Sequence, residues 1–336
     1  MSDAITLVTG GAGFLGRHVV ALLEGRGDPV RVVDTQGAPE GCGADWRQGS
    51  VTDPQFLSQA FADVSEVIHL AAIPHLWSAD SNAFDRVNHL GTQRVVDAAW
   101  TEGVSAFVHV SSLTTRISGE KSSLPRRVRE ADLPPLDAML GAYPRSKWLA
   151  EDAARRAQAE GMPVRIAIPT MPLGPGDFSM TPPTRMALDF VSGKTPAYLD
   201  TWMNICDVRD MAAGIVALLD VPAPESGVFL GGNNLRMGEV LEHLQAASGV
   251  AMPKARVPGF VAEAFAYLDE FAADHLTHKL PKAPLTGVRL ARRPIQFDMS
   301  LARELLKFEA RPLDETLSDL LVWFEAQGYW HHQDAG

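Results

Sequence analysis

Three glycines, Gly10, Gly13 and Gly16, stand three apart in Thr9-Gly10-Gly11-Ala12-Gly13-Phe14-Leu15-Gly16, between a β-branched run and an apolar helical pattern. A strand that turns at once into a helix through such a loop needs residues without side chains. They allow a tight turn, let backbone approach a pyrophosphate, and let helix and strand pack closely. The helix start then presents free N–H groups and a positive dipole end to an anion. Phe14 and Leu15, the first helical positions, belong to that cradle.

The runs around this loop extend the same pattern. Ile5 to Val8, Val30 to Val33, Val67 to Leu70, Phe107 to Val110 and Val164 to Ile168 read as short buried strands. Phe14 to Glu24, Asn82 to Thr101 and Ala142 to Ala159 read as helices between them. Alternating strands and helices predict a parallel sheet covered on both faces. Right-handed crossovers then give an α/β, Rossmann-like doubly wound sheet. After Leu173, Gly174-Pro175-Gly176 and Pro182-Pro183 punctuate the chain, and helices are predicted at Met237 to Ser248, Pro258 to Phe271 and Leu313 to Ala326. We expect a dinucleotide-binding domain over residues 1–172 and a smaller, mostly helical lobe over 173–336, with segments near 200–220 returning to the first domain.

Composition narrows the function classes. The chain has 336 residues, with 41 Asp/Glu against 30 Lys/Arg and a formal charge of −11, which disfavours nucleic-acid binding. Cys42 and Cys206 lack metal-ligand spacing, so no metal and no disulfide are expected. No apolar run approaches the roughly 18 residues of a membrane span. Met1-Ser2-Asp3 carries no basic segment of the kind that opens a signal peptide. The expectation is a cytoplasmic protein with a small-molecule substrate and no membrane partner. His331-His332 reads as a solvated tail.

Asp34 ends the second strand, 18 residues after Gly16. A carboxylate there accepts ribose hydroxyls and repels a 2′-phosphate, and Thr35, Gln36 and Gly37 supply no cation, which favours NAD over NADP. Asp53, in Gly49-Ser50-Val51-Thr52-Asp53, either bonds the adenine or caps the helix beginning at Pro54. Tyr143 and Lys147 are four apart at the start of a long helix and project from one face. A phenol beside an ammonium suits proton transfer, because a charge about 4 Å away at an effective dielectric of about 20 is worth about 4 kcal/mol, or roughly three pKa units. Ser111 and Ser112 follow a strand at the edge where such sheets bind ligands, with Thr114 as a further hydroxyl.

Together these motifs resemble the extended short-chain dehydrogenase/reductase family, of the NAD-dependent epimerase/dehydratase type. His69-Leu70-Ala71-Ala72, Asn88 with Gly91-Thr92, Gly174-Pro175-Gly176-Asp177 and Asp207-Val208-Arg209-Asp210 add to the likeness. The stretch Pro172 to Ala213 is similar to the dihydroflavonol-reductase-like branch and its hopanoid-associated sugar epimerase relatives. The resemblance implies NAD(P), a homodimer, and a triad of Ser112, Tyr143 as acid/base and Lys147. It also implies that Val51, Leu70, Ala71, Ala72 and Pro169 line the cofactor, while Asn88 supports the central region.

Departures from the family pattern narrow the reaction. Leu113-Thr114 follow Ser112 where the 4,6-dehydratases carry an Asp-Glu pair, and Arg116-Ile117 replaces a common Tyr-Gly pair. Ile168-Pro169-Thr170-Met171-Pro172 lacks the Asn of many nucleotide-sugar enzymes. Arg289, Arg292 and Arg293 are the cations a nucleotide-sugar pyrophosphate would need, or else solvated surface residues. Met171, Phe178, Met180, Met203, Phe260, Phe265, Tyr267 and Phe271 are candidates for an apolar substrate lining or for core, and His75 and Trp77 lie where substrate should enter. The leading expectation is an NAD(H)-dependent oxidoreductase acting on a mostly apolar alcohol or ketone. The alternatives are a nucleotide-sugar epimerase using the same triad and a non-catalytic NAD sensor.

Overall fold

The computed structural model describes residues 4–120, 122 and 124–331; Met1 to Asp3 and His332 of the terminal readings lie outside them. Seven parallel strands form the central sheet: β1 (Ile5–Thr9), β2 (Val30–Asp34), β3 (Asp45–Gln48), β4 (Val64–His69), β5 (Ala106–Val110), β6 (Val164–Pro169) and β7 (Val228–Leu230). Their spatial order is β3-β2-β1-β4-β5-β6-β7, so the winding direction reverses between β1 and β4. Ligands of such sheets bind at that switch point, beyond the carboxyl ends of the strands.

Side chains alternate across each strand and feed two cores. On one face Leu7, Val67, Phe107 and Ile166 pack against the helices α2 (Pro54–Ala60), α3 (Gly91–Glu102) and α4 (Ala142–Ala159), through Leu57, Val95 and Ala154. On the other, Val8, Ile68, Val108 and Ala167 meet Val19 and Leu23 of α1 (Phe14–Arg26) and Met211 and Ile215 of a helix at Val208–Ala217. A third core, around Leu188, Leu241, Leu320 and Phe324, belongs to the second lobe.

The division at residue 172 is crossed. The helix Val208–Ala217 covers the central sheet and β7 extends it, whereas Trp202–Asp207 pairs with Met171–Leu173 and Asn234–Arg236 in a separate three-stranded sheet. The returning segment therefore begins at Val208 and runs to β7. Pro182-Pro183 opens a helix, Pro182–Val191, rather than interrupting one, since proline at the first helical position loses no hydrogen bond. Among the described residues no helix is long and apolar enough to cross a membrane.

Candidate active site

The loop after β1 is held on both sides. Gly10 adopts φ +77°, and a Cβ there would lie 2.7 Å from the Ala71 nitrogen, so the loops after β1 and β4 touch backbone to backbone. A Cβ at Gly16 would collide with the Gly10 carbonyl. Gly13 caps α1 without a side-chain acceptor for the first turn. The residues therefore fit a pyrophosphate at the helix start.

The Asp34 carboxylate accepts from Ala12 N at 3.0 Å and from Gln36 N at 2.9 Å, tying the loop to the end of β2. Asp53 takes the capping alternative: its Oδ1 accepts from Gln55 N and Phe56 N at 2.9 and 3.1 Å. Val51 is buried against Gly91, and Pro169 is buried at the end of β6. Leu70, Ala71 and Ala72 follow β4, with Ala71 N bonded to Thr9 Oγ1 at 3.2 Å.

Ser111 and Ser112 point to different partners. Ser111 Oγ donates to Glu151 at 2.6 Å, whereas the Ser112 hydroxyl acts on the Tyr143 phenol and accepts from Thr114 Oγ1 at 3.0 Å. Burial pushes the Tyr143 phenol above its ordinary value, and the Ser112 bond opposes that. Lys147 is buried and donates from Nζ to the Val110 carbonyl at 2.7 Å. Desolvation pulls its ammonium down to about 8, and the Glu151 carboxylate partly offsets this. The expected depression of the phenol by Lys147 is not among the influences on Tyr143: desolvation is the largest on both groups, raising the phenol and lowering the ammonium.

Glu151 had no place in the sequence reading. It lies one helical step beyond Lys147, so Tyr143, Lys147 and Glu151 share a face of α4. Its fully buried carboxylate accepts from Arg116 at 2.6 and 2.9 Å, from Arg155 at 2.7 and 2.9 Å, and from Thr115 at 3.1 Å. These cations and the Ser111 bond hold it ionised, down at about 2. The spacing Tyr-x3-Lys-x3-Glu was the available signal.

A chain of buried hydrogen bonds connects β1 to α4. Thr9 Oγ1 meets His69 Nδ1 at 2.7 Å, His69 Nε2 meets Thr92 Oγ1 at 2.8 Å, and Thr92 donates to the Asn88 carbonyl at 2.6 Å. The Asn88 side chain accepts from Ile73 N at 2.7 Å and donates to Ser146 Oγ at 3.0 Å. Asn88 sits in a π-helical stretch, Asp85–Leu90, immediately before α3. The wider turn supplies the offset that lets Asn88 face α4.

His69 and His109 titrate with the fold. Burial, then the Lys147 charge, lowers His69 to about 3, and the same causes push His109 well below its ordinary value. Both bind fewer protons folded than unfolded below about pH 6.5, so stability falls with acidification at up to about 1.4 kcal/mol per pH unit for each. The urea midpoint is expected to drop steadily from pH 7 to pH 5. In His109→Leu, whose ring nitrogens have no hydrogen-bond partner among the described residues, the drop becomes shallower. An unchanged pH slope would contradict this.

The substrate-side candidates separate. Met203 is buried in the core of the second lobe. Phe178 lies half-exposed, under the Arg17 guanidinium at 5.3 Å and edge-on to Trp323. Met171 and Met180 are partly buried against the same core. Trp77 is tied down by a 2.8 Å bond from Nε1 to Asp274. Burial lowers the His75 ring and the Asp177 charge opposes this, and His75 Nδ1 and Asp177 Oδ1 are both buried without a hydrogen-bond partner among the described residues. Arg289 and Arg292 both pair with Glu263, and Arg293 bonds the carbonyls of Ser118 and Gly119. Phe260, Phe265, Tyr267 and Phe271 project outward from the helix Gly259–Ala272.

Residues 6–229 match the NAD dependent epimerase/dehydratase family. The chain belongs to that family. It is therefore an enzyme-type extended short-chain dehydrogenase/reductase, and its relatives include reductases, dehydratases and epimerases. A Synechocystis sp. protein that carries the name dihydroflavonol 4-reductase is 31% identical, over 98% of this chain and 96% of its own. Sterol demethylase protein B of Methylococcus capsulatus is 25% identical over 96% and 99%. The crystal structure of gox2253 superposes with a TM-score of 0.83, at 27% identity, covering 97% of this chain and 99% of that one.

Proposed function

We propose that this dehydrogenase/reductase interconverts a secondary alcohol and a ketone on a small, mostly apolar substrate, using NAD(H) as the hydride carrier. The observation that carries the reading is the buried Lys147 ammonium, held by the Val110 carbonyl one helical turn from Tyr143, with the Ser112 hydroxyl acting on the phenol. Bound nicotinamide supplies or accepts the hydride. In the reductive direction, Tyr143, held neutral by burial, donates its phenolic proton to the carbonyl oxygen as that oxygen gains charge. Ser112 donates a second hydrogen bond to the same oxygen and Thr114 fixes the Ser112 rotamer. Lys147 is positioned by the Val110 carbonyl to hold the nicotinamide ribose, and its charge one helical turn away would stabilise the phenolate left when Tyr143 gives up its proton. The loop residues Gly10, Gly13, Phe14, Leu15 and Gly16 hold the pyrophosphate, with Val51, Leu70, Ala71, Ala72 and Pro169 lining the rest.

The engagement of Arg289, Arg292 and Arg293 by protein acceptors favours an apolar substrate over a nucleotide-sugar pyrophosphate, since no guanidinium of that trio is left uncommitted. Leu113 and Thr114 after Ser112 supply no acid and base for elimination. We read the protein as a homodimer, as its likeness to the family implies, and as cytoplasmic, as its two unpaired cysteines suggest.

The test is a thermal-shift screen with NAD against sterols, flavonoids, β-keto acids and UDP-sugars, followed by NADH absorbance with every ligand that raises the melting temperature. Shifts with sterols or flavonoids and steady NADH oxidation support the reading. Shifts confined to UDP-sugars, with no net absorbance change, would overturn it.

Asp34 provides the cofactor test. In Asp34→Asn the shape stays while the charge that repels a 2′-phosphate is lost. The preference for NADH over NADPH in kcat/KM is expected to fall by about tenfold or more, in line with a lost charge-assisted hydrogen bond. An unchanged ratio would remove Asp34 from cofactor selection.

A further inference from the structure

We propose that the outward face of the helix Gly259–Ala272 and the turn after it docks the protein on an anionic lipid bilayer. Most surface helices turn apolar residues inward and charges outward. This one does the reverse. Phe260 is 72% exposed, Leu268 66%, Tyr267 61% and Leu276 74%. The acids of the same segment are engaged by the protein body. Glu263 pairs with Arg289 and Arg292, Asp269 accepts from Ala283 N, Glu270 from Leu285 N, and Asp274 from the Trp77 indole. The polar anchors thus hold the helix in an orientation that leaves its apolar side to the outside. So contiguous an exposed apolar face marks an interaction surface.

Charge identifies the occupant. Residues 254–293 carry seven Lys/Arg against four Asp/Glu, whereas the whole chain has 30 against 41. Lys254, Lys279 and Lys282 are exposed on the segments that flank the helix in sequence, while Arg256 pairs with Asp200. Apolar side chains flanked by cations match acyl chains beneath anionic headgroups. A second copy of this chain would bring together two faces of like charge. Absence of a spanning segment bears on crossing a bilayer and not on resting upon one.

The surface is also placed to serve the catalytic cleft. Leu285 and Arg289 of the helix Leu285–Ala291 form, with Phe260, Tyr267 and Leu268, an open groove of 450 Å³. The same short helix packs Thr286 against Gly141, two residues before Tyr143, and Gly287 against Leu76. A substrate leaving the bilayer would meet the loop after β4 and the start of α4 first. This last step rests on the apolar-substrate reading; the docking itself does not.

The experiment is co-sedimentation of the purified full chain with phosphatidylcholine vesicles and with vesicles containing 30% phosphatidylglycerol. Wild type is expected to pellet with the anionic vesicles, less so at high salt, and the double variant Leu268→Glu/Leu276→Glu at least about tenfold less. NAD binding and turnover of a water-soluble ketone, followed in parallel, should be unchanged in the variant. Loss of turnover in wild type would count against the oxidoreductase reading and leave the vesicle result standing. Three results would overturn the docking: no pelleting, equal pelleting with neutral vesicles, or a dimer in sedimentation velocity that the variant dissolves while vesicles go unbound.

Discussion

Tyr143→Phe is expected to lower kcat by about 10²–10⁴-fold with little change in NAD affinity, the range typical of removing a positioned general acid. The phenol is the group in the cleft that Ser112 acts on, raised by burial and backed by an ammonium one helical turn away. Phenylalanine keeps the ring and its edge-on contact with Phe84 at 6.1 Å, so the fold and the cofactor cradle should persist. The variant therefore isolates proton transfer from packing. Measured kcat and NAD dissociation constant settle it together: a variant with wild-type kcat removes Tyr143 from the chemistry.

Glu151→Ala is expected to destabilise the protein by about 3–5 kcal/mol, because it leaves the Arg116 guanidinium buried without its counter-ion. Arg116 and Glu151 are both 0% exposed, and the Ser111 hydroxyl loses its acceptor, while Thr115 keeps the Ser112 carbonyl at 2.8 Å. Arg155, partly exposed, can turn to water. Removing both charges in Arg116→Met/Glu151→Met should recover much of the loss, since apolar replacement of a buried pair is often tolerated. Urea denaturation at pH 7 reads both. A single variant as stable as wild type would show that this cluster is not a structural keystone. Glu151→Gln carries a second consequence: the carboxylate that raises Lys147 is gone, so the ammonium should fall below about 8.

Much of the site could be read from local pattern. The glycine spacing, the acidic end of β2 and the Tyr-x3-Lys step are each set by a few neighbouring residues, and the sheet brings them to one edge. The helices at Ala142–Ala159, Met237–Ser248 and Leu313–Ala326 begin and end where their periodicity does. The rest depended on contacts between distant segments. Arg116 looked like a departure from a motif until α4 placed Glu151 beside it, 35 residues away in sequence. β3, Asp45–Gln48, is a polar edge strand with no apolar alternation to mark it. Met203 was open to either pocket lining or core, and only contacts from distant segments place it in the core of the second lobe. The helix at Gly259–Ala272 was legible as a helix, but its inversion was not: periodicity reports that one face is apolar, and only the partners of Glu263, Asp269, Glu270 and Asp274 show which way that face turns.

The central claim is net hydride transfer between nicotinamide and an apolar carbonyl, with Tyr143 as the proton source. The most direct measurement follows deuterium from NADH labelled at C4 during turnover of a ketone found in the thermal-shift screen. With both C4 hydrogens of NADH replaced by deuterium, the expected result is one deuterium on the carbinol carbon of the product and one NAD formed per turnover, at a rate about 10²–10⁴-fold lower in Tyr143→Phe. Turnover that leaves the cofactor reduced and the product unlabelled would contradict it.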